Sequence, residues 1–372
     1  MEMARRLCRR IPGMLGALGV LLLAMALLSF PEEVKDGMRA SVLYCLTALI
    51  PSLFPFMVLS CLIVQSGAVE LLGRPLAFPT RWGFRLPGCC AAPVIMSFLG
   101  GYPAGARSAA LLLEQGKITR EQAGRMMLFC VNPGTAFVVT YLGGGVLGSY
   151  QAGWLLFFSV TLSGLLLGLL SGLRGKIPPK KQEARPIKTG GALVRSVSGA
   201  AQSVLIMCAC IVSFGALSTL LHATGAYQAL VRLLDAQSFL TPLETAAALS
   251  FLLEVTGGVG DAVRFHAGLP LYAFGLAFGG LCVHLQVFAM FPGEFPVKKW
   301  LFFLFRLLHG LLSAICCQIL CRLLPGGTLE TAAPIGTVQA FSGTAAGGLS
   351  LLLLCAAFLV AVGKEGNEKL HQ

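Results

Sequence analysis

Long apolar segments separated by short polar loops follow one another along almost the whole chain. Several stretches of about 18 or more residues contain almost no charged side chains, which is typical of transmembrane helices. We therefore predict an all-α polytopic membrane protein. The predicted spans are residues 11–30, 40–65, 126–142, 152–173, 196–221, 269–290, 300–323 and 349–362.

The first apolar segment, residues 11–30, follows a cluster of arginines and fits either a signal peptide or a membrane helix. No small-x-small cleavage pattern follows it convincingly, so we expect a retained helix. The arginines before this segment should stay in the cytoplasm, as positively charged loops do. The segment then crosses the membrane, and residues 31–39 should form an external loop.

Two further apolar segments, residues 87–113 and 242–268, contain residues that interrupt a helix. The interrupting residues of the first segment are Gly100, Gly101, Pro103 and Gly105. Basic loops flank this segment on both sides, which places both of its ends in the cytoplasm. We predict a re-entrant hairpin whose broken backbone is satisfied by protein or by a water-filled cavity.

The second half of the chain looks like a copy of the first. SGAVELLGR at residues 66–74 is similar to TGAYQALVR at residues 224–232, and the second broken stretch is FLLEVTGGVGD at residues 251–261. The first copy enters the membrane from outside, whereas the second enters from a basic cytoplasmic linker. We therefore predict two inverted-topology repeats, an arrangement that recurs in transporters.

These patterns divide the chain into five parts, and both termini are expected in the cytoplasm. The parts are an N-terminal membrane helix with an external loop (1–39), the first repeat (40–173), the basic linker (174–195), the second repeat (196–323), and a C-terminal membrane helix with a cytoplasmic tail (324–372).

The composition excludes an ordinary soluble domain. Hydrophobic residues make up 56% of the chain and charged residues only 12%, and the mean hydropathy is +0.80. The net charge is +12, and the excess lysines and arginines lie between apolar segments. This placement indicates positive-inside loops rather than nucleic-acid binding. The 13 cysteines lie mostly in apolar segments, and their adjacent pairs lack the spacing of a metal site. We expect a lipid-bilayer protein with no nucleic-acid partner, metal or cofactor.

The first hairpin supplies four candidate binding residues. Backbone freed at Gly100, Gly101 and Gly105 can present N–H or C=O groups to a ligand, and Tyr102 offers a hydroxyl and an aromatic face. The alternative is close helix packing, because Gly101 and Gly105 also form a GxxxG pattern.

The second hairpin carries an acidic residue in an apolar run. Glu254 is followed by Thr256 and Gly257, and we predict that all three bind a ligand or an ion. A carboxylate near the bilayer centre costs about 2.5 to 3.5 kcal/mol, so it needs a cavity, an ion or a partner. The alternative is a structural pair with Arg264 or another buried donor.

Asn132 and His284 occupy corresponding places in the two repeats. Asn132 precedes Pro133, which removes one backbone hydrogen bond and leaves carbonyl groups free for a ligand. The same feature fits a simple helix kink. His284 can titrate near neutral pH, although it also fits a packing residue in an apolar helix.

One enzyme motif needs to be considered. Residues 258–261 spell the GxGD of intramembrane aspartyl proteases, whose chemistry needs a second aspartate. The other aspartates, Asp36 and Asp235, lie in predicted external loops. The chain also lacks an HExxH, a P-loop and a nucleophile elbow, so we predict no enzymatic activity.

Several motifs in combination resemble one known family. They are FPFMVLS at residues 54–60, GGYPAGAR at 100–107, EQGKIT at 114–119, Asn132-Pro133, and Glu254-Val255-Thr256-Gly257. Together they resemble the YlbJ-type sporulation integral membrane proteins of spore-forming Firmicutes, which carry paired nucleoside-recognition, or Gate, domains. The resemblance covers residues 40–323 and implies that both repeats are Gate-like. Cys61 departs from the polar or acidic residue expected after FPFMVLS.

The resemblance implies a role in spore cortex formation. Gate domains are similar to parts of nucleoside transporters, so a transporter-like protein is expected to bind or move a small polar solute between its hairpin tips. A nucleoside and an envelope precursor are the candidate solutes, and Na+ and H+ are the candidate coupling ions. The alternative is a non-transporting membrane scaffold for spore-envelope assembly. The candidate protein partners are a second copy of the chain, in a homo-oligomer, and spore-envelope proteins.

Overall fold

The computed structural model describes residues 2–173, 175, 191–236, 240–291 and 293–323. Within these residues the chain is helical and contains no β-strand. The predicted C-terminal membrane helix at residues 349–362, the cytoplasmic tail and most of the basic linker lie outside the described residues.

The described part of the chain forms sixteen α-helices. In chain order they are α1 (Glu2–Ser29), α2 (Pro31–Tyr44), α3 (Ile50–Gln65), α4 (Ala68–Gly73), α5 (Ala77–Trp82), α6 (Ala91–Leu99), α7 (Tyr102–Glu114), α8 (Arg120–Met127), α9 (Tyr150–Leu173), α10 (Ala192–Ala223), α11 (Ala226–Asp235), α12 (Pro242–Leu253), α13 (Val255–Arg264), α14 (Leu269–Phe278), α15 (Gly280–Ala289) and α16 (Lys299–Leu323).

Five helical stretches in the described residues are long and apolar enough to cross a membrane. They are Pro31–Gln65, Tyr150–Leu173, Ala192–Ala223, Leu269–Ala289 and Lys299–Leu323. The prediction of an all-α polytopic membrane protein is therefore confirmed. The inverted orientation of the two halves stays a prediction.

The stretch Pro31–Gln65 joins α2 and α3 through a π-helical segment, Cys45–Leu49. The predicted external loop of residues 31–39 is therefore helical, which corrects the expectation from the sequence. Pro31 stands in the first turn, where a missing N–H has no helical partner to lose, and Glu32 and Glu33 complement the helix dipole. At about 1.5 Å per residue the stretch spans about 52 Å, so it extends beyond an apolar bilayer core of about 30 Å.

The first broken segment folds as a helical hairpin of α6 and α7. The chain reverses at Gly101, whose φ of 88° favours glycine. The two arms lie in direct contact, because a Cβ atom built on Gly105 would lie 2.6 Å from the Cβ of Ser97. These two residues are equally distant from Gly101 in sequence, as expected for antiparallel arms.

The second broken segment is the hairpin of α12 and α13. Glu254 joins the two helices with an extended backbone, at φ −155° and ψ 137°. The Oγ of Ser250 donates to the Oδ2 of Asp261 across the arms at 2.5 Å. The helix interruption therefore falls at the acidic residue itself.

An interrupted helix packs against each hairpin tip. The predicted span of residues 126–142 is unwound at residues 130–134 and continues as a π-helical segment, Ala136–Val146. Pro133 cannot donate a backbone hydrogen bond, which explains the break. A Cβ atom on Gly134 would lie 3.0 Å from the backbone nitrogen of Gly101, so the break touches the first tip.

In the second half, Gly279 separates α14 from α15, and Gly280 begins α15. Their φ values are 86° and 70°. A Cβ atom on Gly280 would lie 3.1 Å from the backbone nitrogen of Glu254. Glycine is therefore needed for both the backbone angles and the close approach to the second tip.

Large apolar side chains divide between the interior and the outer surface. Tyr102, Phe251 and Phe302 are buried where the hairpins meet α14, α15 and α16, whereas many leucines on α9 and α10, such as Leu166 and Leu205, are exposed. This exposure suits contact with lipid.

Candidate functional site

A cavity of about 40 Å³ lies between the two hairpin tips. Gly101 and Tyr102 line it from the first hairpin, and Glu254 and Thr256 line it from the second. Because one water needs about 10–15 Å³, the cavity has room for an ion or a few waters. Pockets for drug-sized ligands measure roughly 300–1,000 Å³, so a nucleoside does not fit in this conformation.

The walls of the cavity come from both halves of the chain. Gly134 contributes from the first interrupted helix, and Gln286 contributes from α15 in the second. Tyr44 on α2 and Phe137 in the π-helical segment add aromatic rings. The lining is therefore mainly apolar, with a carboxylate, hydroxyls and an amide as its polar groups, which is typical of a small-ligand site.

Glu254 caps the N-terminus of α13. Its Oε1 accepts from the N–H of Thr256 at 2.9 Å, and its Oε2 accepts from the N–H of Gly257 at 2.7 Å. The hydroxyl of Thr256 also donates to Oε2. These donors hold the side chain at the positive end of the helix dipole.

The predicted alternative partner of Glu254, Arg264, lies at the other end of α13. Its guanidinium lies over the ring of Phe265, 5.7 Å from the centroid. Among the described ion pairs, none joins Arg264 to Glu254. The sequence predicted a buried donor as the structural alternative, and the structure supplies backbone and hydroxyl donors in place of Arg264.

Tyr102 links the two halves of the chain. Its hydroxyl donates to the carbonyl oxygen of Leu276 at 2.6 Å. Leu276 stands in the last turn of α14, where carbonyl groups have lost their helical donors. The hydroxyl is therefore engaged in this conformation, while the ring lines the cavity.

The three candidate glycines of the first hairpin differ in their surroundings. Gly101 lines the cavity. A Cβ atom on Gly100 would lie 2.9 Å from the Cβ of Ala104, and one on Gly105 would collide with the carbonyl oxygen of Cys130. Gly105 therefore lies in a close packing contact, which is the alternative that the sequence left open for it.

Asn132 and His284 are fully buried and do not line the cavity. The Nδ2 of Asn132 donates to the carbonyl oxygen of Phe129 at 2.8 Å, and this oxygen is the one that loses its helical donor to Pro133. The Nε2 of His284 lies 2.9 Å from the carbonyl oxygen of Phe278. Both side chains contact carbonyl groups of interrupted backbone, as their structural alternatives require. The Oδ1 of Asn132 and the Nδ1 of His284 are buried without a hydrogen-bond partner among the described residues, and a binding role for the two residues stays a prediction.

Several buried polar residues were missed in the sequence. Among them are Gln286, which lines the cavity, and Arg306 and His309 on α16, both of which are 0% exposed. The signal for Arg306 was an arginine inside a predicted span, because charged residues inside a membrane are rare and have partners.

No family model and no solved structure matches the chain. The chain is similar to the sporulation integral membrane protein YlbJ of Bacillus subtilis (strain 168), with 26% identity over 331 residues. The similarity covers 81% of this chain and 80% of that protein. The chain thus resembles a bacterial integral membrane protein over most of the length of both.

Proposed function

We propose that this protein is a sporulation-associated membrane protein that binds a small polar solute between its hairpin tips and moves it across the membrane. The observation that carries the proposal is the cavity shared by Gly101 and Tyr102 of one hairpin and Glu254 and Thr256 of the other. The similarity to YlbJ supports the sporulation role.

The chemistry of the cavity favours a solute or ion with positive charge or hydrogen-bond donors. Glu254 presents acceptor oxygens only, when ionised. The aromatic rings of Tyr44 and Phe137 also line the cavity, and the face of an aromatic ring attracts a cation. The present volume has room for Na+, and H+ can bind to the carboxylate of Glu254. A larger solute, such as a nucleoside or an envelope precursor, enters only when the tips separate.

Separation of the tips has a structural basis in the interruptions. Gly101 and Gly279 are backbone positions with positive φ on either side of the bond from Tyr102 to Leu276. Loop or helix-terminal residues of this kind absorb changes of backbone angle when domains or lids move. In this proposal, the hydrogen bond from Tyr102 to Leu276 breaks when the solute enters.

A transport assay tests the proposal directly. Membrane vesicles with and without the protein are incubated with a metabolite extract, and mass spectrometry identifies the solutes that are taken up. We expect uptake of a small polar solute that Glu254→Gln abolishes while membrane abundance is unchanged. Glu244→Gln is the matched control, because Glu244 is in the same hairpin but caps α12, where glutamine serves equally well. Absence of any protein-dependent uptake, together with normal spores from Glu254→Gln, favours a scaffold.

A further inference from the structure

A charged side chain of α16 is buried in the protein but is not part of the cavity lining. Arg306 lies in the first third of α16 and is 0% exposed. Within the part of the chain that the structure describes, no ion pair includes it. A guanidinium in a membrane interior is costly, so its contacts are expected to have a function.

Arg306 donates in two directions. Its Nη1 donates to the carbonyl oxygen of Val131, in the unwound segment 130–134. Its Nη2 donates to the Nδ1 of His309 at 2.6 Å. Because a guanidinium only donates, Nδ1 accepts, and the proton of a neutral His309 ring lies on Nε2, 3.0 Å from the carbonyl oxygen of Val160. This chain of hydrogen bonds joins α16 to the unwound segment and to α9.

The unwound segment depends on side chains for its hydrogen bonds. Within the membrane, irregular backbone is tolerated only where protein or water satisfies it. Asn132 serves the carbonyl of Phe129, and Arg306 serves that of Val131. Gly134, at the end of the same segment, touches Gly101 and lines the cavity.

We propose that Arg306 is a positioning residue for the cavity, because it holds segment 130–134 against the tip of the first hairpin. This inference rests on the proposed function of the cavity as a binding site. An arginine is required because its planar fork reaches two acceptors in different directions. A lysine ammonium is a compact point charge on a flexible stem and lacks this geometry.

The test measures how readily a thiol reagent reaches single cysteines in the full-length protein. Three proteins are prepared, and each carries one reporter cysteine in a background without other cysteines. The first reporter is native Cys130, which is 0% exposed and precedes Val131. The second reporter is Leu53→Cys, since Leu53 lines the cavity. The third is native Cys317, which is 0% exposed on the same helix as Arg306. A small maleimide labels each reporter in reconstituted vesicles.

In Arg306→Gln, we expect labelling of Cys130 and of the Leu53→Cys reporter to rise about tenfold or more, because a buried charge-assisted hydrogen bond is lost. Labelling of Cys317 should not change. Arg306→Lys keeps the charge and should give intermediate rates. Arg322→Gln removes a charge from an exposed position of the same helix and should change none of the three.

Two outcomes would overturn the inference. If neither Cys130 nor the Leu53→Cys reporter responds, Arg306 does not hold the segment. If all three reporters rise together in both Arg306 variants, Arg306 supports the whole bundle rather than the site. Labelling does not require transport, so this test is separate from that of the proposed function. If the proposed function is wrong, the Glu254→Gln protein supports normal spores and no protein-dependent uptake is seen, whatever the labelling result.

Discussion

The hydroxyl of Tyr102 and the carbonyl oxygen of Leu276 are 2.6 Å apart, although the two residues belong to different halves of the chain. Tyr102 begins α7 directly after the tip of the first hairpin, and Leu276 lies in the last turn of α14, before the break at Gly279. The bond therefore joins two interruptions, and it fixes their distance from each other in this conformation.

Removal of this bond gives the first prediction. Tyr102→Phe keeps the ring but leaves the buried Leu276 carbonyl without a donor, so we expect a loss of about 1–3 kcal/mol in the free energy of unfolding. Thermal unfolding in detergent measures the loss. Tyr150→Phe is the control, because Tyr150 is 58% exposed and should not change stability. Equal melting temperatures for both variants would show that the bond contributes nothing.

The second prediction concerns close packing at Gly105. Gly105→Ala places a Cβ atom against the backbone carbonyl of Cys130, which cannot rotate away. We expect a loss of about 1–3 kcal/mol from overpacking. Gly260→Ala is the matched control in the second hairpin, since no atom lies within 4 Å of a Cβ atom at that position. Helix propensity should make this control slightly more stable than the parent protein.

Thermal unfolding of the two variants tests whether the contact at Gly105 is as close as the structure shows. If Gly105→Ala is as stable as Gly260→Ala, the contact between α7 and the unwound segment is looser than the structure indicates.

The third prediction concerns orientation in the membrane. The basic segments at residues 74–85 and 117–125 should be protected from an impermeant thiol reagent added outside, and position 150 should be accessible. Single cysteines in a cysteine-free background report each site. If the two flanks of residues 87–113 label from opposite sides, the first hairpin is a full span and the halves are not inverted.

The interruptions at the two hairpin tips and at Pro133 could be predicted from the sequence because their causes are local. The break at Gly279 was missed, since residues 269–290 are predicted as one span. Glycine and proline act on their own backbone, so Gly101 and Pro133 reveal breaks without knowledge of the surrounding fold. The same local reasoning failed at residues 31–39. A proline and two glutamates were interpreted as a loop, although they also suit the first turn of a helix.

The contacts of the candidate site depend on tertiary packing and could not be predicted. Tyr102 was chosen for its hydroxyl, but its acceptor, Leu276, is 174 residues away in sequence. The sequence predicts a binding role for Asn132 because Pro133 leaves a carbonyl group free for a ligand. In the structure the side-chain amide of Asn132 itself donates to that carbonyl oxygen. Arg306 carries a signal in the sequence, yet its partner Val131 is known only from the fold.

The last prediction separates the two roles of Glu254, which caps α13 and also faces the cavity. Glu254→Ala removes both the cap and the charge, so we expect a loss of about 0.5–2 kcal/mol in stability together with a loss of function. Glu254→Asn keeps an oxygen that accepts from the N-terminal N–H groups of α13, and asparagine is a favoured N-cap residue. Its stability should therefore be close to that of the parent protein.

If the charge of Glu254 serves a solute or an ion, Glu254→Asn should form as few heat-resistant spores as Glu254→Ala, and Glu254→Asp should retain part of the activity. The measurement combines thermal unfolding of purified variants with spore counts in the source bacterium, in which each variant replaces the deleted chromosomal copy. Membrane abundance is followed in the same cells. Normal spore formation by Glu254→Asn would mean that the cap alone is required, because asparagine supplies the cap without the charge. The carboxylate would then have no ligand, and a scaffold role would account better for the chain.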